Sequence, residues 1–294
     1  MENKNITPIR FDKTEALSAL PKRPALANKG SFGRALIIAG SEKYAGAGHL
    51  ALEAALRGGA GYVGYLNEGK MCESALLKYP EAIYHKTALS DIDTVLSVAE
   101  GYSSVLIGPG LGCSECVAAL VTALIKQPGG VLIIDADGLN SIARYFSADV
   151  FRARAREIII TPHPLELSRL IGTEVDKINS DRVGVAQSTA KEYGVTLLLK
   201  GSGTVVTDGK RVFVNTTGSV ALAKGGTGDV LAGLIASLCA FMPSKLEAAI
   251  LSAFIHGYTA DRLSSELSSF GVMPSELPRA FAGTLNELEK MRKM

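Results

Sequence analysis

The chain has 294 residues, 47% of them hydrophobic, and a formal net charge of +2. That balance excludes a strongly basic nucleic-acid surface and an acidic tail, and leaves small molecules as the expected partners. The length suits two small domains or one large α/β domain, and the lack of a Pro/Ser-rich linker or charge block favours one. No N-terminal stretch has the layout of a signal peptide, and no apolar run reaches the ~20 residues that span a bilayer, so a cytoplasmic protein with no membrane segment is expected. Four cysteines include a CxxC at Cys113 and Cys116. No second pair has metal spacing, so free thiols are expected and no zinc.

In chain order, residues 1–28 read as a polar lead-in with a helical patch around Thr14–Leu20, and residues 29–294 as one domain. Apolar, β-rich runs then recur at "RALIIAG" (34–40), "GYVGYL" (61–66), "SVLIG" (104–108), "VLIID" (131–135), "EIIIT" (157–161) and "VTLLLK" (195–200). Helical stretches separate most of them, which predicts a mostly parallel sheet with helices on both faces. "GTVVTDG" (203–209) and "RVFVN" (211–215) predict a hairpin turning at Asp208 and Gly209. Helices are expected at 228–241, 245–267 and 275–291.

Ligands of open parallel sheets bind beyond the carboxyl ends of the strands. Here those ends read "AGSEKYAGAGH" (39–49), "GPGLG" (108–112), "DADGLN" (135–140), "TPHPLE" (161–166) and "KGSGT" (200–204). So many glycine-bearing ends point to a shared ligand cradle. No P-loop occurs. "GAGHLA" (46–51) matches a dinucleotide fingerprint, with Glu68 at the right distance for a ribose, and would make the chain a nicotinamide-dependent dehydrogenase. Against that, Ser41–Ala45 intervene between the strand and the glycines, which belong in a tight turn at the strand end. His163 stands between two prolines at a strand end, either idle or chemically used. Lys200 is read either as a phosphate ligand or as a snorkelling side chain, and the backbone amides of Gly201, Ser202, Gly203 and Thr204, able to form an anion nest, favour phosphate. Asp135 and Asp137 are candidates for magnesium through water or for an ordinary helix cap. His256, mid-helix, is assigned nothing, as are His49 and His85.

The stretch "AKGGTGDVLAGLIASL" (223–238) places Gly225, Gly226, Gly228 and Asp229 before a helix that is apolar on every side. The N-terminus of such a helix favours an anion, and the glycines allow close approach. Asp229 is then either a cap or a base beside a phosphate, placed to deprotonate an attacking hydroxyl.

These motifs, with "KGSFGRALIIAGSEKYAGAGHLALEAALRGGAGYV" (29–63), "LLLKGSGTVVTDG" (197–209) and "NTTGSVALAKGGTGDVLAGLIASL" (215–238), resemble in content and order the ADP/ATP-dependent NAD(P)H-hydrate dehydratases of the ribokinase-like superfamily. The resemblance implies a ribokinase-like three-layer sandwich and a nucleotide-dependent dehydration of (S)-NAD(P)H hydrate. ADP is the expected donor, with ATP the alternative, and Mg2+ the expected ion. It implies Asp229 as base, with the Gly226–Gly228 amides stabilising the transferred phosphoryl group. Ala47, Gly110, Gly112 and His163 would face the hydrated dinucleotide, and Lys200–Thr204 with Gly228 the nucleotide. Leu165 stands where the family usually has glycine. Family resemblance also implies a homotetramer. A small-molecule kinase resembling hydroxyethylthiazole kinase is the alternative reading, since it shares every phosphate-handling residue.

Overall fold

The computed structural model describes residues 7–292. Ten strands form one sheet: β1 (Ile9–Phe11), β2 (Arg34–Ile38), β3 (Tyr62–Asn67), β4 (Ile83–Lys86), β5 (Ser104–Ile107), β6 (Val131–Ile134), β7 (Ile158–Ile160), β8 (Thr196–Leu199), β9 (Val205–Thr207) and β10 (Val212–Asn215). Their spatial order is β1-β10-β9-β8-β7-β6-β5-β2-β3-β4. Every pair is parallel except those of β9, which runs against both β8 and β10.

The helices are α1 (Lys13–Ala19), α2 (Ala45–Arg57), α3 (Gly69–Leu76), α4 (Ile92–Glu100), α5 (Glu115–Lys126), α6 (Asp137–Tyr145), α7 (Pro164–Ile171), α8 (Val175–Ser180), α9 (Arg182–Tyr193), α10 (Thr227–Cys239), α11 (Lys245–Gly271) and α12 (Glu276–Arg292). They cover both faces of the sheet. Alternate strand residues enter two separate cores: Ile37 and Leu106 join Leu52 of α2, Ile235 of α10 and Phe254 of α11, whereas Leu36, Ile38 and Ile107 join Leu120 of α5 and Ile142 of α6. A sheet buried on both faces needs apolar side chains at both parities, which is why these strands read as continuous apolar runs. The ribokinase-like α/β architecture expected from the sequence is present. Among the described residues, no helix is long and apolar enough to cross a membrane.

The hairpin is present and differs from expectation in its loop. Thr207 pairs with Val212, which leaves 208–211 as a four-residue connection. Asp208 shapes it: its Oδ1 accepts from the amides of Lys210 (2.9 Å) and Arg211 (2.7 Å). Beyond β10, β1 pairs alongside in parallel and forms the edge of the sheet. The glycines of "GAGHLA" lie inside α2, not in a turn at the end of β2, and so lack the geometry of a dinucleotide fingerprint.

Candidate active site

The site is built at the carboxyl ends of the central strands, where five connections meet. β6 delivers Asp135, which is 1% exposed. Its Oδ1 accepts from Thr161 Oγ1, just beyond β7, at 2.8 Å and from Lys200 Nζ, just beyond β8, at 2.7 Å. The Lys200 amide donates to the Pro162 carbonyl at 2.9 Å, which fixes the two strand ends to each other. Lys200 Nζ also lies 3.6 Å from Glu166 Oε2. Burial opposes the lysine charge, but the two carboxylates override it and raise its pKa, so the ammonium is held firmly.

His163 caps α7. Its Nδ1 accepts from the Glu166 amide at 3.2 Å, and its own amide donates to Glu166 Oε2 at 2.8 Å. With Nδ1 accepting, the ring proton belongs on Nε2, which lies 3.3 Å from Glu166 Oε1. Burial and the Lys200 charge push the imidazole pKa down, so the ring is neutral at pH 7. Glu166 therefore touches both His163 and Lys200, and its own pKa is raised by burial. Leu165, for which the resemblance leads one to expect glycine, is the second residue of α7 and half exposed.

Asp229 lies in the first turn of α10, whose N-cap is Gly226 at φ 101° with no side-chain capping bond. The aspartate is therefore not the cap. Gly226 is needed there because of its left-handed φ, and because a Cβ would press on Leu50 at 2.7 Å. Thr227 Oγ1 donates to the carbonyls of Leu222 and Lys224, both at 2.9 Å, and so fixes the glycine turn. Asp229 makes no ion pair within 4 Å among the described residues. Burial first, and the Asp135 charge second, push its pKa up to about 7. A carboxylate so poised can hold or release a proton at neutral pH.

Two groups of predicted residues converge here. Lys200 Nζ lies 3.5 Å from where a Gly228 Cβ would stand. Lys200, Gly201, Ser202, Thr204 and Gly228 line one cavity of about 470 Å³, closed on its other side by α11. Thr204 Oγ1 donates to the Gly201 carbonyl at 3.0 Å, closing the turn, while Gly203 adopts φ 64° within it. On the far side of Asp135, a Cβ on Gly110 would stand 2.7 Å from Ala47 Cβ, so those two residues touch. The Gly112 amide donates to Asp137 Oδ2 at 2.8 Å. Between them Ala136 sits at φ 47°, a strained conformation for alanine at the edge of the site. Asp135 and Asp137 are thus both site residues, and α6 has no side-chain cap.

Sequence reasoning assigned nothing to Arg182, which buttresses the turn at 200–204: its Nη2 donates to the carbonyls of Leu199 (3.0 Å) and Lys200 (3.1 Å) from α9. Glu166 was equally unassigned. Only the S/T/D/N/H-x-x-E capping spacing after the strand hinted at it.

A mostly parallel sheet that gathers a glycine turn at a helix N-terminus, a buried lysine and an uncapped aspartate at its strand ends defines the ribokinase-like class. Solved structures agree. The crystal structure of the Bacillus subtilis ADP/ATP-dependent NAD(P)H-hydrate dehydratase co-crystallised with ATP/Mg2+ superposes with a TM-score of 0.86 at 28% identity, covering 97% of this chain and 99% of that one. The hydroxyethylthiazole kinase of Pyrococcus horikoshii shares the fold alone, at 14% identity and a TM-score of 0.55, covering 94% of this chain and 92% of that one. Residues 35–281 match the NAD(P)H-hydrate dehydratase family model, and the chain belongs to that family of lyases. The bifunctional NAD(P)H-hydrate repair enzymes of Moorella thermoacetica (34% identical, 93% of this chain and 53% of that protein) and Gloeobacter violaceus (37%, 87% and 50%) are similar to it. The chain spans about half the length of these curated relatives.

Proposed function

We propose that the chain removes water from (S)-NAD(P)H hydrate at the expense of ADP, giving NAD(P)H, AMP and phosphate. The observation that carries this reading is Asp229: uncapped, on a glycine turn, beside a lysine-bearing cavity, with a pKa of about 7. In this reading Asp229 takes the proton from the ring hydroxyl as its oxygen attacks the terminal phosphorus of the donor. The Gly226–Gly228 amides and Lys200 meet the charge on the transferred group. The carbon–oxygen bond then breaks, phosphate leaves with its electron pair, and a proton lost from the neighbouring ring carbon restores the double bond.

Lys200, Gly201, Ser202, Gly203 and Thr204 are read as the nucleotide side. Ala47, Gly110, Gly112 and neutral His163 are read as the side facing the hydrated ring. Mg2+ fits as an ion carried by the donor phosphates. No group of three or more His, Cys, Asp or Glu side chains among the described residues makes a metal cage, while Asp135 Oδ2, buried and without a protein partner, offers one further oxygen. When bound, the ion would offset charge on those phosphates. We further propose a cytoplasmic homo-oligomer, a tetramer as the family resemblance implies, acting through the domain at 29–294 behind the lead-in at 1–28.

The test is direct. Hydrated NADH with Mg2+ is incubated with ADP and, in parallel, with ATP, and the near-ultraviolet absorbance of the reduced nicotinamide ring is followed. Recovery of the absorbance with ADP, faster than with ATP, is expected. A stable phosphorylated product with no recovery would instead support the small-molecule kinase reading.

A further inference from the structure

The cavity beside Lys200 has a second wall, made by α11, and one side-chain nitrogen of that wall has no partner among the described residues. His256 is 5% exposed and lines the same cavity as Lys200 and Gly201. Its Nε2 has no hydrogen-bond partner among the described residues. Buried polar atoms are nearly always paired, so an exception asks for an explanation.

The neighbouring polar groups are already committed. Asn215 Nδ2 donates to the carbonyls of Thr217 and Ala253, both at 3.1 Å. Thr217 Oγ1 reaches the Phe254 carbonyl at 3.0 Å, and Thr227 Oγ1 is bound within its own turn at 2.9 Å. His256 alone among these side chains keeps a nitrogen unspent. Burial pushes its pKa down to about 4, with the Thr227 backbone offsetting only part of that, so the ring is neutral at working pH. A neutral imidazole offers one donor and one acceptor and no charge. It is therefore mismatched to phosphates, which Lys200 and the glycine-turn amides already meet, and matched to the uncharged polar edge of a nucleoside.

We infer that His256 is a specificity-determining residue that hydrogen-bonds the nucleoside moiety of the donor nucleotide seated in this cavity. The inference rests on the reading of the cavity as the donor site, but not on the dehydration itself.

Isothermal titration separates the possibilities, with ADP and inorganic pyrophosphate as ligands and Mg2+ present. His256→Phe keeps the ring's volume and removes its nitrogens. Its ADP Kd is expected to rise about tenfold, the scale of one lost hydrogen bond, with pyrophosphate affinity unchanged. Equal weakening of both ligands, or no change in either, overturns the inference. Nitrogen NMR of the wild-type chain keeps the question open to an answer if the variant fails to fold: ADP should move the His256 ring resonances and pyrophosphate should not. An unmoved resonance with ADP, or no ADP binding at all, also overturns it. Normal ADP recognition of this kind in a chain that recovers no NADH would leave His256 standing and sink the dehydratase reading.

Discussion

Carboxylates are wholly or partly buried in two regions of this molecule, with opposite outcomes. Glu53 of α2 is 4% exposed and fully answered: Tyr79 Oη donates to it at 2.8 Å, Arg279 Nε at 3.3 Å, and Lys78 Nζ lies at 3.8 Å. At the strand ends, Asp135, Asp137, Glu166 and Asp229 share essentially one cation, Lys200, which is bonded to Asp135 and leans to Glu166. The first arrangement fixes a helix. The second leaves one carboxylate undersupplied, and a base near neutrality is what undersupply produces. Burial alone distinguishes nothing; the balance of partners does.

The largest expected effect breaks the second region. Asp229→Asn keeps size but removes the proton acceptor, so kcat should fall by at least ~100-fold while nucleotide still binds by titration. Stability should be preserved, and the sign follows from linkage. The folded pKa of Asp229, about 7, lies above its unfolded value, so the wild type loses stability as pH rises from about 4 to 7. The Asn variant lacks that slope and should melt, at pH 8, no lower than the wild type.

A smaller effect tunes the same region. With Asp229 as base, kcat/KM of the wild type should drop about tenfold per pH unit below about 7. Asp135→Asn removes the neighbouring charge that helps hold that pKa up, so the acid limb should move to lower pH. A limb that stays in place would mean that another group titrates.

The smallest effect on rate is expected at the answered carboxylate. Glu53→Gln should leave kcat within about twofold and lower stability by about 1–3 kcal/mol, read from denaturant midpoints. The cost stays modest because Arg279 and Lys78 remain partly exposed and can recover water. A large loss of activity would erase the contrast between the two regions.

Most strands were legible because a sheet covered on both faces demands unbroken apolar β-formers, as in "RALII" and "VLII". β1 ("IRF") and β4 ("IYHK") carry charged residues at the sheet's two edges, where one side faces no strand, and no apolar run marks them. Glycine turns and Asp229 were legible because close backbone approach and helix ends leave local signatures. The Asp135–Lys200 pair was not, since 65 residues separate them and only strand order brings β6 and β8 to either side of β7. His256 was passed over for a related reason. A histidine within an apolar helix looks like packing until the wall it lines is known.

The pairing of β1 with β10 sets a timetable for folding. Ile9 lies opposite Phe213, so β1 has its one sheet partner among the described residues some two hundred residues further along the chain. Closing so long a loop carries an entropic cost that local contacts cannot offset early, and topologies of this kind fold slowly. Without β1 the outer edge of β10 has no neighbour, and α1, which follows β1, rests against α11 and α12. Once docked, β1 seals an edge that would otherwise accept a strand from another molecule.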